Sequence, residues 1–160
     1  MDESGFAQDM PRTHGYAVKG QRCYAKHDWG AKGRTNAIGA LIKATLVAIG
    51  LVSCSVDTAV FTAWTEPILL PNIPEKSVIV MDNATFHKSQ KMQKIIEDSG
   101  HTLLYLPPYS PDLNPIEKTW AHAKNTYAVL QTAPSMTSLP VIHCSLFMAI
   151  LLYDYSIRYF

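Results

Sequence analysis

Two acidic residues, Asp82 and Glu117, follow segments that we expect to form neighbouring strands of one sheet. The segment "SVIVMDN" (residues 77–83) is a short, continuous apolar run that ends in Asp82, a pattern typical of a buried strand. Carboxylates are rarely buried unless they are paired or bind a cation. Functional groups in open α/β sheets gather at the carboxyl ends of strands, so Asp82 is a candidate for chemistry. The alternative is a strand-end aspartate that opens a turn with Asn83.

Glu117 stands within "LPPYSPDLNPIEKTW" (residues 106–120), where four prolines occupy nine positions. Proline fixes φ and restricts the preceding residue, so the loop would deliver the next helix to a defined place. We expect Asn114 to cap that helix and Pro115 to occupy its first position. The spacing from Asn114 to Glu117 is also that of a capping box, in which the glutamate only satisfies the helix start. Both interpretations of Glu117 stay open on local sequence.

Two or three carboxylates at one strand edge favour a hard cation such as magnesium. Two such ions about 3.5–4 Å apart can activate water or a 3′-hydroxyl and stabilise the leaving oxygen of a phosphodiester. This chemistry needs a third carboxylate from elsewhere in the chain. Asp2 and Glu3 are candidates, and spacing alone does not select between them.

The elements that would position these carboxylates alternate between strand and helix. A helix is predicted over residues 89–100, and a second strand over residues 102–106, before the proline loop and its helix. Strand, helix, strand, helix with short links indicates a parallel pair with a crossover helix, hence an α/β sheet. Upstream, residues 35–53 predict two strands with a turn near Lys43, and a helix begins at about Asp57.

Composition excludes several classes of protein. The 160 residues suit one domain with a real core, and 48% hydrophobic with 17% charged residues is ordinary for a globular protein. The three cysteines include no CxxC pair, which argues against a zinc site or disulfide framework and fits a reduced intracellular setting. The N-terminus lacks an apolar signal, and the apolar run at residues 141–153 is too short to cross a membrane.

Local charge is more informative than the net charge of +1. Residues 11–35 contain six basic side chains against Asp28 alone, and this surface is compatible with phosphate contacts or with plain solvation. The six candidates for DNA binding are Arg12, Lys19, Arg22, Lys26, Lys32 and Arg34.

Three stretches together resemble a known family. "SVIVMDNATFHKS" (residues 77–89) and "GHTLLYLPPYSPDLNPIEKTWAHAKN" (residues 100–125) are similar to the DDE-type catalytic domain of bacterial insertion-sequence transposases in the mariner-like superfamily. "DESGFAQDMPRTHGYAVKGQR" (residues 2–22) resembles the first acidic motif of that domain. The 34 residues between Asp82 and Glu117 match the spacing typical of the group.

The resemblance implies a ribonuclease H-like fold, a mixed sheet flanked by helices, with a truncated first strand because only Met1 precedes Asp2. It implies that Asp2, Asp82 and Glu117 hold two magnesium or manganese ions. The implied reactions are hydrolytic cleavage at transposon ends and attack of the freed 3′-hydroxyl on target DNA. The supporting residues would be Asn83, which orients Asp82; His87, which approaches DNA or is structural; and Asn114.

The resemblance also implies a domain plan and partners. Residues 1–127 would form the catalytic domain and residues 128–160 a divergent apolar tail, with the helix-turn-helix domain of the family absent. Expected partners are transposon-end and target DNA, a second copy in a homodimeric complex, and a helix-turn-helix portion from an upstream frame. The expected location is the bacterial cytoplasm, with no membrane contact.

One alternative function is that of an inactive remnant that at most binds DNA or an intact transposase, and we expect weak activity from the chain alone. Another, a stand-alone ribonuclease H-type nuclease, is disfavoured by the proline-loop motif.

Overall fold

The computed structural model of the chain describes residues 1–7, 17–24, 33–108 and 110–131. Within them lie five strands: β1 (Asp2–Ala7), β2 (Arg34–Ile42), β3 (Thr45–Val52), β4 (Val78–Met81) and β5 (Thr102–Tyr105). Three α-helices accompany them: α1 (Thr58–Trp64), α2 (Gln90–Asp98) and α3 (Ile116–Gln131). The mixed α/β class predicted from the sequence is confirmed.

The chain divides into two compact units. The first contains Met1–Gly5 and Thr35–Trp120, and therefore all three acidic residues singled out by the sequence. The second contains Phe6–Arg34 and Ala121–Phe160. In the second unit the rings of Phe6 and Tyr127 form a T-shaped pair at 5.9 Å between centroids, a favourable aromatic geometry.

Strands β4 and β5 form the predicted parallel pair, in register from Val78 opposite Thr102 to Met81 opposite Tyr105. Helix α2 makes the crossover between them. It buries Met92 and Ile96 on one face, and Gly100 at φ +80° follows its end, a conformation that glycine adopts without steric cost. Because parallel strands end at the same edge, the chain leaves β4 and β5 side by side.

Strands β2 and β3 form the predicted antiparallel hairpin, which turns at Lys43 with φ +57°. They lie in a sheet of order β1-β2-β3. The first strand, expected to be mostly missing, contains six residues that run onward from Asp2. The amino group of Met1 donates to the Val80 carbonyl at 2.6 Å, so the start of β1 lies beside β4.

The core of the first unit lies between these strands and helices α1 and α2. Its largest fully buried apolar side chains include Phe61, Ile38, Leu69, Met81, Met92 and Ile96. Strand β4 contributes Ile79 and Met81 to the core, whereas Val78 is 60% exposed. The prediction that β4 is a buried strand therefore holds for only part of its length. No helix within the described residues is long and apolar enough to cross a membrane. Helix α3 continues past Tyr127, and the predicted tail beyond Gln131 lies outside the described residues.

A β-bulge in β3 receives the indole of Trp64. Between the pairs Ile38–Gly50 and Ala40–Val47, β3 contains one residue more than β2, and Ala48 lies there at φ +54°.

 The Trp64 Nε1–H donates to the Ala48 carbonyl at 2.8 Å, which satisfies a carbonyl that the bulge removes from the ladder. A Cβ built on Gly50 would lie 2.7 Å from the Trp64 ring, so the close approach of the indole requires glycine there.

We therefore expect Gly50→Ala to lower the free energy of unfolding by about 1–3 kcal/mol, the usual cost of overpacking. Urea denaturation followed by tryptophan fluorescence would measure it. Gly39→Ala is the matched control, because its Cβ would meet the Trp120 ring at the less severe distance of 3.2 Å. A cost for Gly39→Ala equal to or above that for Gly50→Ala would contradict this account of the bulge.

Candidate active site

Asp82 follows β4 directly, at the edge where β4 and β5 end. The pairing of the two strands extends one residue beyond β5, because the Leu106 N–H donates to the Met81 carbonyl at 2.8 Å. Leu106 begins the proline loop, and Met81 immediately precedes Asp82. The loop is therefore anchored by backbone hydrogen bonding next to the aspartate, as the sequence predicted.

The proline loop ends in a short 3-10 turn, Pro111–Leu113, before α3. The Asn114 N–H donates to the Pro111 carbonyl at 2.9 Å, and the Glu117 N–H donates to the Asn114 carbonyl at 3.2 Å. In a capping box the glutamate would accept the Asn114 N–H, but Pro111 already satisfies that group. This contact favours the interpretation of Glu117 as a site residue. Helix α3 begins at Ile116, one residue later than predicted for Pro115.

A cleft of about 520 Å³ joins the two strand ends. Asp82 and Glu117 both line it, together with Asn83, Lys88 and Asn114. The remaining lining residues are Ala84, Thr85, Leu106, Pro107, Pro108, Ser110 and Pro111. The cleft thus combines an acidic centre, one exposed lysine and an apolar wall supplied by the proline loop.

Asp2 begins β1 and is only 5% exposed. Its Oδ2 is buried and accepts no hydrogen bond from the residues that the structure describes. Burial raises the pKa of Asp2 to about 7, with further increases from the negative charges of Glu3, Glu117 and Asp82. The charges of Asp82, at the end of β4, and of Glu117, at the start of α3, therefore act on Asp2, although Asp2 does not line the cleft.

His87 lies between two of the carboxylates. Its Nδ1 is 2.5 Å from Oδ1 of Asp82, and its Nε2 is 3.4 Å from Oε2 of Glu3. Burial alone lowers the pKa of His87, but the contact with Glu3 and the charges of Glu3 and Asp82 outweigh it, and the net shift is upward. The histidine therefore favours its charged form, which offsets part of the negative charge around it.

The donor set fits a hard divalent cation in kind. Carboxylate oxygens are the ligands that magnesium and manganese prefer, and a cation would relieve both the repulsion and the orphaned Oδ2 of Asp2. Among the described residues, no three His, Cys, Asp or Glu side chains already stand at the mutual distances of a metal-binding group. The acidic side chains are thus of the right chemical type to bind a divalent cation, but they do not form a complete coordination site.

The other predicted site residues are placed as follows. Asn83 is half-buried and lines the cleft, but the hydrogen bonds that hold Asp82 come from the Ala84 N–H and His87. Lys19, Arg22 and Arg34 are exposed, and Arg22 lies over the ring of Tyr24 at 5.7 Å. The other three basic candidates, Arg12, Lys26 and Lys32, lie outside the described residues.

Sequence reasoning missed two features of this site. Lys88 was not selected because a lone lysine after a motif histidine carries no distinctive signal, although it lines the cleft. Glu3 was considered only as a substitute for Asp2, whereas it contacts His87. The alternation of side chains along a strand could have separated the two acids, since neighbours point to opposite faces.

The chain thus has a mixed α/β fold in which two carboxylates, Asp82 and Glu117, line a cleft beside the parallel strands. The family model described as "DDE superfamily endonuclease" matches residues 1–139, and the chain belongs to this family, whose members generally use divalent metal ions.

Solved structures of Mos1 transposase have the same fold. In the paired-end complex with the left transposon end, the match has a TM-score of 0.64 at 19% identity and covers 92% of this chain and 46% of that one. In the Mos1 strand transfer complex, the TM-score is 0.60 at 16% identity, with 94% and 50% of the two chains covered. An uncharacterized protein of Sinorhizobium fredii, y4pE/y4sA, is 35% identical over 51 residues, or 32% of this chain and 36% of that one. The chain thus spans half or less of the length of these proteins.

The raised pKa of Asp2 predicts a dependence of stability on pH. Asp2 titrates near 3.8 when unfolded and near 7 when folded, so its contribution to stability is full below about pH 3.8 and is lost as pH rises through 7. In EDTA at pH 8.5, Asp2→Asn should therefore raise the free energy of unfolding, by at most about 4 kcal/mol. Urea denaturation at pH 4.5 and pH 8.5 would measure the change.

The expected gain for Asp2→Asn at pH 4.5 is small, because the carboxyl is already protonated in the folded state. Asp98→Asn, on the exposed face of α2, is the control and should change stability little at either pH. An equal effect of Asp2→Asn at both pH values would show that the charge of Asp2 is not what strains the folded chain.

Proposed function

We propose that the chain is the catalytic domain of a DNA transposase, which cleaves transposon ends and joins the freed 3′-hydroxyl to target DNA. The observation that supports this proposal is that Asp82 and Glu117 line one cleft, while the charges of both raise the pKa of the buried Asp2. Membership of the DDE superfamily endonuclease family and the fold shared with Mos1 transposase support it.

In this proposal Asp2, Asp82 and Glu117 hold two magnesium or manganese ions. When bound, such ions activate the attacking oxygen and stabilise the leaving oxygen of a phosphodiester. The protein fixes the carboxylates: Asp82 by hydrogen bonds from Ala84 and His87, and Glu117 by the proline loop that begins beside β4. No covalent intermediate with the protein is needed.

The cleft suits a nucleic-acid strand near its cleavage point. Lys88 supplies a positive charge that can contact a phosphate, beside an acidic centre that would otherwise repel it. Leu106, Pro107 and Pro108 also line the cleft and offer an apolar surface suited to a sugar or a base. Lys88 therefore joins the predicted basic residues as a proposed DNA contact.

The proposed partners are transposon-end DNA, target DNA and a second copy of the protein. The related Mos1 structures are complexes with transposon DNA, and they come from chains about twice as long as this one. A helix-turn-helix portion encoded in an upstream frame would supply recognition of the ends. The proposed location is the bacterial cytoplasm.

The catalytic assignment predicts that Asp82→Ala and Glu117→Ala lose metal-dependent nicking of plasmid DNA by more than about 100-fold, beyond the effect usual for outer-shell partners. DNA binding should persist, because phosphate contacts come from basic residues. Nicking would be followed on agarose gels in Mn²⁺, with EDTA as the blank.

Asp112→Ala is the matched control, because Asp112 is an exposed acid in the same proline loop and does not line the cleft. It should nick like the parent chain. Undiminished nicking by Glu117→Ala would overturn the assignment. A parent chain that binds DNA but never nicks would instead favour the inactive-remnant alternative.

The basic residues predict a separate effect on affinity. Replacing both Lys19 and Arg22 by alanine should weaken binding to random-sequence DNA and reduce the slope of log affinity against log salt by about 2, one for each lost phosphate contact. Fluorescence anisotropy at several salt concentrations would measure this. Lys91→Ala with Lys94→Ala, on the exposed side of α2, is the control pair. An equal loss for the control pair would mean that general charge, not this patch, binds DNA.

A further inference from the structure

His87 is fully buried, although it belongs to a motif beside a cleft proposed to bind DNA. A side chain with no exposed surface does not contact DNA without rearrangement. Burying an imidazole is costly unless its nitrogens find partners. Here both nitrogens face carboxylates, Nδ1 that of Asp82 and Nε2 that of Glu3.

The position of His87 is fixed by contacts to its backbone and ring. Its N–H donates to the Ala84 carbonyl at 3.1 Å, within the 3-10 turn Thr85–Lys88. Its carbonyl accepts the hydroxyl of Tyr105 at 2.7 Å, and Gln93 donates to that same hydroxyl at 3.0 Å. The imidazole also packs on Phe61 at 4.4 Å between centroids. Groups from α1, α2 and β5 thus hold the histidine in one orientation.

This rigid histidine constrains Asp82. The two described hydrogen bonds to the Asp82 carboxylate, from Ala84 N–H and from His87 Nδ1, both go to Oδ1. With Oδ1 engaged twice, rotation of the carboxylate is restricted, and Oδ2 keeps its capacity for another partner. Asp82 is 45% exposed and lines the cleft, so that partner can come from the cleft.

We propose that His87 is a positioning residue that fixes the Asp82 carboxylate for divalent-cation binding, and that Glu3 orients His87. Glu3 is then a partner of the histidine, and Asp2 remains the cation-binding acid of β1. This inference rests on the proposed function, since it assigns how one ligand of that site is held. It also excludes a direct contact between His87 and DNA.

The test uses a pair of variants that each retain one side of the imidazole. His87→Asn keeps a donor near the position of Nδ1, facing Asp82, and loses the group facing Glu3. His87→Gln keeps a donor near the position of Nε2 and loses the group facing Asp82. His87→Ala removes the groups that face Asp82 and Glu3. Glu3→Gln removes the negative charge next to Nε2 of the histidine and keeps the size and shape of the glutamate side chain.

The primary measurement is Mn²⁺ binding to the full 160-residue chain by isothermal titration calorimetry, without DNA. His87→Ala should weaken binding by about 10- to 100-fold, the usual effect of removing an outer-shell partner. His87→Asn should recover most of that loss, His87→Gln little of it, and Glu3→Gln should lose less than His87→Ala. Nicking in Mn²⁺ should follow the same order.

His101→Asn is the matched control. His101 is also buried, and its Nδ1 accepts the Ser77 N–H at 3.2 Å at the other end of β4. This variant should lower thermal stability and leave Mn²⁺ affinity unchanged, which is the behaviour of a purely structural histidine. Circular dichroism would select the variants that are folded at the titration temperature. If His87→Ala is not folded, the three single variants His87→Asn, His87→Gln and Glu3→Gln are sufficient for the test.

Equal Mn²⁺ affinity of the Asn and Gln variants would overturn the positioning role, as would parental affinity in folded His87→Ala. Asp82→Asn and Glu117→Gln, titrated alongside, separate this failure from that of the proposed function. If they lose Mn²⁺ binding while His87→Ala keeps it, only the present inference fails. If they bind Mn²⁺ like the parent chain, the proposed metal site itself fails.

Discussion

The burial of Asp2 beside other acidic side chains is the constraint on which the rest of the site depends. Burial raises the pKa of Asp2 most, and the negative charges of Glu3, Glu117 and Asp82 raise it further. Burying a carboxylate among like charges costs free energy, so the acids stay together only because the scaffold holds them.

The scaffold opposes this repulsion with packing directly beneath the acids. Met81, the residue before Asp82, is fully buried, and so are Met92 and Ile96 on the crossover helix. Phe61 packs against the ring of His87, which joins the apolar core to the acidic edge. Displacing Asp82 would therefore disturb close-packed side chains, whose rearrangement is costly.

The sequence predicted those parts of the fold that depend on local pattern. The apolar run of β4, the amphipathic face of α2 and the hairpin turn at Lys43 were confirmed, and the rule for parallel strands correctly brought Asp82 and the proline loop to one edge. Alternation places Asp2 and Glu3 on opposite faces of β1, but which face is buried was not predictable. Asp2 and Ser4 are buried on the same face as Phe6, and this mixture of polar and apolar residues gives no hydrophobic alternation. The contact of Glu3 with His87 joins residues 84 positions apart, which no local pattern encodes.

The site residues also differ in how they are brought into place. Asp82 and His87 are five residues apart, and the 3-10 turn Thr85–Lys88 folds the histidine back onto the aspartate, so this pair is encoded within one short motif. Glu117 depends on the register of β5 and on the stiffness of the proline loop, and Asp2 depends on β1 lying beside β4. Oδ1 of Asp82 accepts hydrogen bonds from Ala84 and His87, whereas Oδ2 of Asp2 is buried with no hydrogen-bond partner among the described residues. Asp82 is therefore the acidic residue whose position is fixed by hydrogen bonds. Asp2 is the one whose buried negative charge would be stabilised most by a cation.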